Sequence, residues 1–424
     1  MKSGVRYNKS TIGNGLRVVT EQIPFTHSIA IGVWIDVGSR DEEKDENGIS
    51  HFIEHMLFKG TKTRSAEKIA SSLESLGGSL NAFTSKEQTC FHAVVLDEHL
   101  VQAVDILSDI LIHSTLSPLN LEREKSVVVE EIVEIEEIPS EYIHELFSGC
   151  FWRGHPLGWS IMGSEKVVRS FSRRQLSSYI NRHYQAGRIV IAAAGNISHK
   201  KLVALLGHRF SFGPGNHGGG EPPAKVNSFL LKSFKNKSNQ THLCLGFPGV
   251  RFNHPDRNTL LALHAYLGAG MSSVLFQKVR EEKGIAYTIY TFLDFYRDSG
   301  VFGAYFAADH SRLHQAMEII LKELKKLKHR KIPSSKFDQI KAQLKGNMTL
   351  SMESTMSRMS RLGRHELMMG KYSSLEESLK AIDRLKADNL TEAAGHIFNH
   401  QNMTVTSLGP IKEGNLNSVD WSII

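Results

Sequence analysis

The residues of this chain best suited to chemistry lie between Gly48 and Gly60, in the stretch GISHFIEHMLFKG, where His51, Glu54 and His55 follow the order His-x-x-Glu-His. At 100° per residue, a helix here puts Ile49, Phe52, Ile53 and Met56 on one stripe and His51, Glu54 and His55 roughly opposite. The apolar stripe anchors the helix. The two imidazoles, one turn apart, come near enough to share one zinc ion at about 2.0–2.1 Å from each nitrogen. Glu54 points into the same space and could take a proton from water whose pKa the metal lowers towards about 7. The competing reading is a merely solvated polar face, and the pentapeptide alone does not separate the two.

A catalytic zinc site needs a third protein ligand and an open position for water. The segment Leu119 to Ile138 has a helical pattern rich in glutamate, and within it Glu124 and Glu131, seven residues apart, share a face. Glu130, turned by about 100°, does not face the same partner. An acidic solvated surface accounts for this helix equally well. Cys90, Cys150 and Cys244 are too few and too scattered for a disulfide framework or a cysteine metal knot, so any metal must use histidine and carboxylate.

These segments sit in a chain of 424 residues, long enough for two to four domains that each bury a core. With 41% apolar and 22% charged residues and 11 prolines, the composition is globular, not disordered or fibrous. The chain repeats itself. Thr26-His27 opens the run THSIAIG and Thr241-His242 opens THLCLG; VIAAAGNI ends at Ile197 and TVTSLGPI at Ile411. Thr241 follows Thr26 by 215 positions and Gly409 follows Gly195 by 214, so two landmarks keep one register. Between the halves, Ser211 to Pro223 holds five glycines and three prolines and can continue neither helix nor central strand. The expected organisation is a domain at 1–212, a linker at 213–225 and a homologous domain at 226–424.

Strand patterns at Leu16–Thr20, Ser28–Val37, Thr89–Leu96 and Ile189–Ala194 alternate with helical ones at Ala66–Leu76, His99–Ile112 and Leu119–Ile138. The second half reads similarly, with strands near Phe229–Phe234, Thr241–Phe247, Ala286–Phe295 and Gly300–Ala307. The predicted fold is α+β: two duplicated α/β sandwich domains with largely antiparallel sheets and helices packed on one face. Cys90, His92 and Trp34 read as core or sheet surface.

Four segments, in order along the chain, resemble the inverted-zincin metallopeptidases of the pitrilysin and insulysin family, particularly its mitochondrial processing peptidase-like branch. GSRDEEKDENGISHFIEHMLFKGT resembles the zinc-helix region and LGGSLNAFTSKEQTCFHAVV the strand pair that follows. EREKSVVVEEIVEIEEIPSEYIHELF resembles the third-ligand helix and LGAGMSSVLFQKVREEKGIAYTIYTF the signature of the second domain. The resemblance implies one zinc per chain held by His51, His55 and Glu131, Glu54 as general base and Glu124 as an acidic residue behind the ligands. It maps Arg280 and Tyr287 onto substrate-handling residues of the domain without metal; the sequence leaves open whether they serve the zinc of their own chain or a partner's, and the short linker favours their own. Asn81 and Ala82, in NAFT, match the edge strand at which relatives hold an extended peptide, by backbone pairing with little side-chain selectivity. The implied activity is that of a zinc endopeptidase acting on peptides or unstructured segments.

The resemblance also implies pairing of such chains, as a homodimer or with a homologous subunit, giving four similar domains around a chamber. Two features depart from the pattern: Val274 stands where relatives often carry a basic residue, and the glycine-rich loop of the noncatalytic processing subunit is absent. With neither presequence nor signal segment evident, a bacterial-type cytoplasmic protein is expected. A noncatalytic assembly subunit of the same fold is the alternative, but such relatives usually lose ligands, and His51, Glu54, His55 and Glu131 are all present. The formal charge of +7 raises nucleic-acid binding, yet the densest basic run, Lys322 to Lys331, ends a helical pattern where cations favour the helix dipole. Neither nucleic acid nor membrane is expected as a partner.

Overall fold

The computed structural model describes residues 4–215, 228–410, 416 and 418–424. The first half runs β1 (Arg6–Thr11), β2 (Arg17–Gln22), β3 (Ser28–Ile35), α1 (Ile49–Leu57), α2 (Ala66–Glu74), β4 (Ser79–Thr84), β5 (Thr89–Leu96) and α3 (Leu100–His113). It continues α4 (Pro118–Glu137), α5 (Pro139–Phe151), α6 (Glu165–Ser170), α7 (Arg173–His183), β6 (Ile189–Gly195) and α8 (His199–Arg209). The second half runs β7 (Leu230–Lys235), β8 (Thr241–Pro248), α9 (Arg257–Leu267), a π-helical turn (Phe276–Glu281), β9 (Ala286–Phe295) and β10 (Gly300–Ala308). It ends with α10 (Leu313–His329), α11 (Ser334–Ser351), α12 (Thr355–Met369), α13 (Leu375–Asp383), α14 (Ala387–Ile397) and β11 (Thr404–Gly409).

The strands form a six-stranded sheet, β1-β2-β6-β3-β5-β4, and a five-stranded sheet, β7-β11-β8-β10-β9. Replacing β2, β6, β3, β5 and β4 by β7, β11, β8, β10 and β9 converts one order into the other, which is the duplication in structural form. Only β2–β6 and β7–β11 are parallel pairs; the rest are antiparallel. The expected fold class is therefore the observed one, and the predicted strands form. β1, which the apolar patterning did not mark, adds a strand outside β2.

The chain divides into two compact units, and they interleave along the sequence. One comprises Met1–Ile132, Trp159–Glu221 and Leu350–Ser373; the other comprises Val133–Gly158, Pro222–Thr349 and Ser374–Ile424. Each unit thus takes one helix from the other half of the chain. In the first, the side of the sheet bearing Ile29, Ile31, Val33, Phe91 and Ile191 packs on α1, α3 and α4. The opposite side, with Ala30, Trp34, Cys90 and Ala192, packs on Met359 and Leu362 of α12. In the second, Ile143, Phe147 and Phe151 of α5 pack on Cys244, Tyr305 and Leu408, while Phe398, just past α14, meets Phe247 and Phe302.

The expectation of helices on one face is corrected accordingly: both sheets are apolar on both sides, as the nearly unbroken burial of β3, β6, β8 and β10 records. The 213–225 linker falls mostly on residues outside the described ones. Among the described residues, no helix is long and apolar enough to cross a membrane.

Candidate metal centre

The N-terminal end and one face of α1 are fixed. Its cap, Gly48, has φ +97°, and a Cβ there would lie 2.3 Å from the Met162 carbonyl oxygen, so glycine alone fits. The N–H groups of Gly48 and Ser50 donate to the Glu42 carboxylate at 2.8 and 2.9 Å, and Asn47 Nδ2 adds a third bond at 3.0 Å. Burial pushes the Glu42 carboxyl up to about 7 even against these donors. Ile49, Phe52, Ile53 and Met56 are buried as the helical stripe requires, which leaves His51, Glu54 and His55 half-buried on the other side.

α4 brings the carboxylates. Glu131 Oε2 lies 3.5 Å from His55 Nε2 and 3.9 Å from His51 Nε2, and the imidazole centres are 4.7 Å apart. One ligand atom from each of these three residues fits within a 4.8 Å span, the one such group of histidine, cysteine and carboxylate among the described residues. Tetrahedral zinc with bonds of about 2.0–2.1 Å spaces its ligand atoms about 3.3–3.4 Å apart, so donor types and spacing both fit that ion.

Glu124, two turns before Glu131, is buried and accepts from His55 Nδ1 at 3.3 Å and from Lys59 Nζ at 2.9 Å. With Nδ1 engaged there, His55 turns Nε2 towards Glu131, leaving that nitrogen as the one a metal would take. Glu130 is exposed, as its helical angle predicts. Glu54 receives the Thr84 hydroxyl on Oε2 at 2.6 Å.

The electrostatics separate the two histidines. Burial, reinforced by His55, brings His51 down to about 4, so its 3.9 Å approach to Glu131 is no ion pair at neutral pH and its lone pair stays available. Burial also opposes charge on His55, but the bond to Glu124 and the carboxylates of Glu131, Glu124 and Glu54 outweigh it and raise its pKa. Burial raises Glu54, with Glu131 adding to it, against the lowering influence of Thr84 and His55. For Glu124 the order reverses: donors His55 and Lys59 overcome burial and hold the carboxyl below its ordinary value.

Asn81 and Ala82 lie on β4, the outer strand of the first sheet, where Asn81 is exposed and its Oδ1 accepts from the Ala82 N–H. Cys90 and Trp34 are core, and His92 is half-buried on β5. Arg280 and Tyr287 belong to the second unit. The Arg280 guanidinium sits 4.6 Å from the centre of the Phe276 ring and 4.5 Å from that of Tyr287, whose side is 75% exposed. Val274 lines a cavity of about 160 Å³ with Tyr266, Lys278 and Gln343. Sequence reasoning passed over Glu42, Lys59 and Thr84. Lys59 follows His55 by four positions and Thr84 ends the alternating row Leu80, Ala82, Thr84, so helical and strand periodicity carried a signal for both.

Two family descriptions match the chain in tandem: Insulinase (Peptidase family M16) over residues 17–165 and Peptidase M16 inactive domain over residues 170–344. YmxG of Bacillus subtilis, an uncharacterized zinc protease, is 42% identical over 389 residues, which are 92% of this chain and 95% of that one. Rv2782c of Mycobacterium tuberculosis, also an uncharacterized zinc protease, is 39% identical over 402 residues, 93% of this chain and 91% of its own. A solved protease from Helicobacter pylori superposes with a TM-score of 0.89 at 21% identity, covering 96% of this chain and 100% of that one, a likeness of fold. Duplicated sheets and an inverted His-x-x-Glu-His helix are the features that accompany these family matches. The chain belongs to the insulinase family, peptidase family M16.

Proposed function

We propose that the chain is a zinc-dependent endopeptidase that hydrolyses peptides or unstructured segments of proteins. The observation that carries this reading is the meeting of His51, His55 and Glu131 ligand atoms within 4.8 Å, with Glu54 on the same helix. Zinc, when held there, supplies a Lewis acid that polarises the scissile carbonyl and lowers the pKa of water. Glu54 moves the proton. Its Oε2 is engaged by Thr84, so Oε1 takes the proton of the attacking water and returns it to the departing amine as the C–N bond breaks. Asn81 and Ala82 offer the backbone of β4 to an extended substrate. Arg280 and Tyr287 position that substrate and stabilise charge on the carbonyl oxygen. The protein works in the cytoplasm as a homodimer or with a homologous subunit. An intact ligand set favours this reading over a noncatalytic assembly subunit.

The test combines metal analysis with hydrolysis of a quenched peptide library. One zinc per chain and activity abolished by chelator are expected, and Glu54→Gln should keep its zinc while losing about 10² to 10⁴ in rate. Hydrolysis at the wild-type rate by that variant, or by the metal-stripped protein, would refute the assignment.

A further inference from the structure

Glu54 and the residue that holds it come from different elements. The helix α1 carries the carboxylate, and Thr84 is the last residue of the outer strand β4. Strand alternation directs Leu80, Ala82 and Thr84 to one side, and Leu80 and Ala82 pack on the apolar cluster that includes α1. Thr84 pairs across the ladder with Thr89, whose own hydroxyl is engaged by the Val37 carbonyl. A threonine hydroxyl has one proton to give, and that of Thr84 goes to Glu54 Oε2 at 2.6 Å. Bonds of this kind to an ionised acceptor are about twice as strong as neutral ones. The carboxylate otherwise lies in the field of His55, which attracts it, and of Glu131, which repels it.

We propose that Thr84 is a positioning residue for Glu54, its hydroxyl pinning one carboxylate oxygen so that the other is kept for proton transfer and the group does not swing onto the histidines. The inference rests on the peptidase reading for its kinetic consequence and on geometry alone for its structural one. Thr84 uses its side chain towards α1, while an extended substrate would pair with the backbone of β4. Loss of the hydroxyl should therefore act on turnover and spare binding.

Thr84→Val keeps the shape and the β-branched character, and Thr84→Ser keeps the hydroxyl. In the zinc-loaded enzyme, Thr84→Val should lower kcat about tenfold, the scale of one bond to a charged group, with KM and zinc content unchanged. Thr84→Ser should restore kcat to within a few-fold of wild type. Crystal structures of the metal-free full chain supply a second readout: one Glu54 rotamer on the hydroxyl in wild type and Thr84→Ser, and a displaced or divided carboxylate in Thr84→Val. Wild-type kcat in an active Thr84→Val enzyme, failure of serine to rescue, loss of zinc in the valine variant, or an unmoved Glu54 carboxylate would overturn the proposal. A zinc-loaded wild type without peptidase activity would instead sink the peptidase reading, and the Glu54 rotamer would still decide the role of Thr84.

Discussion

A histidine that ligates through one ring nitrogen is held by what its other nitrogen meets, and in α1 the two histidines differ in this respect. His55 Nδ1 is bonded to Glu124, whereas His51 Nδ1 is buried with no partner among the described residues. Glu124 in turn depends on Lys59. Glu124→Gln should therefore weaken zinc affinity by about 10- to 100-fold, and Glu130→Gln, on the exposed side of the same helix, should leave it unchanged. Competition with a chelator of known affinity measures both, and equal affinities would count against the role given to Glu124. At this scale the sequence was informative where one helix settles the question: the spacing of His51, Glu54 and His55, or of Glu124 and Glu131, is enough to place them on a face. Glu42 was not legible, because a carboxylate that turns back to cap a helix begun seven residues later leaves no periodic trace.

Among elements, the repeated glycines acquire a reason. Gly32 and Gly246 close the two matching runs THSIAIG and THLCLG, and each lies beneath the helix taken from the other half. A Cβ on Gly32 would come within 2.6 Å of Met359 Sδ, and one on Gly246 within 2.4 Å of the Phe147 ring. From α12, Gly363 approaches Trp34 so closely that its Cβ would meet the indole at 2.4 Å. Alanine is favoured over glycine in a free helix by about 0.8–1.0 kcal/mol, yet overpacking a filled core costs about 1–3 kcal/mol. Gly363→Ala, with the helix gain offsetting part of the overpacking, should lower stability by up to about 2 kcal/mol, and Gly246→Ala, in strand β8, by about 1–3 kcal/mol in chemical denaturation. A more stable Gly363→Ala would mean that α12 does not lie on Trp34 as described. Patterning marked Gly32 and Gly246 as landmarks of the repeat but singled out neither α5 nor α12. It could not show which sheet each helix covers, since an apolar stripe records that a face is buried and not by whom.

For the molecule as a whole, the candidate metal ligands and the Arg280–Tyr287 pair are built by different units from opposite halves of the sequence. Under the proposed function, Arg280→Ala and Tyr287→Phe should retain zinc, measured by metal analysis, while activity falls on the order of 10²-fold. Compact, stable proteins should be poor substrates; their rapid cleavage would count against the proposed preference for unstructured segments, and full activity in both variants against the role proposed for the pair. The exchange of helices also sets an order of events during synthesis. The last strand of the first sheet ends at Gly195 and its covering helix begins at Thr355, 160 residues later. While the ribosome makes that interval, Ala30, Trp34, Val190, Ala192 and Ala194 form an uncovered apolar surface, the kind of exposure that invites aggregation of a nascent chain. The unit that carries His51, His55 and Glu131 is thus finished only when most of the polypeptide exists, and a cut in the middle of the chain would separate each sheet from a helix that belongs to it.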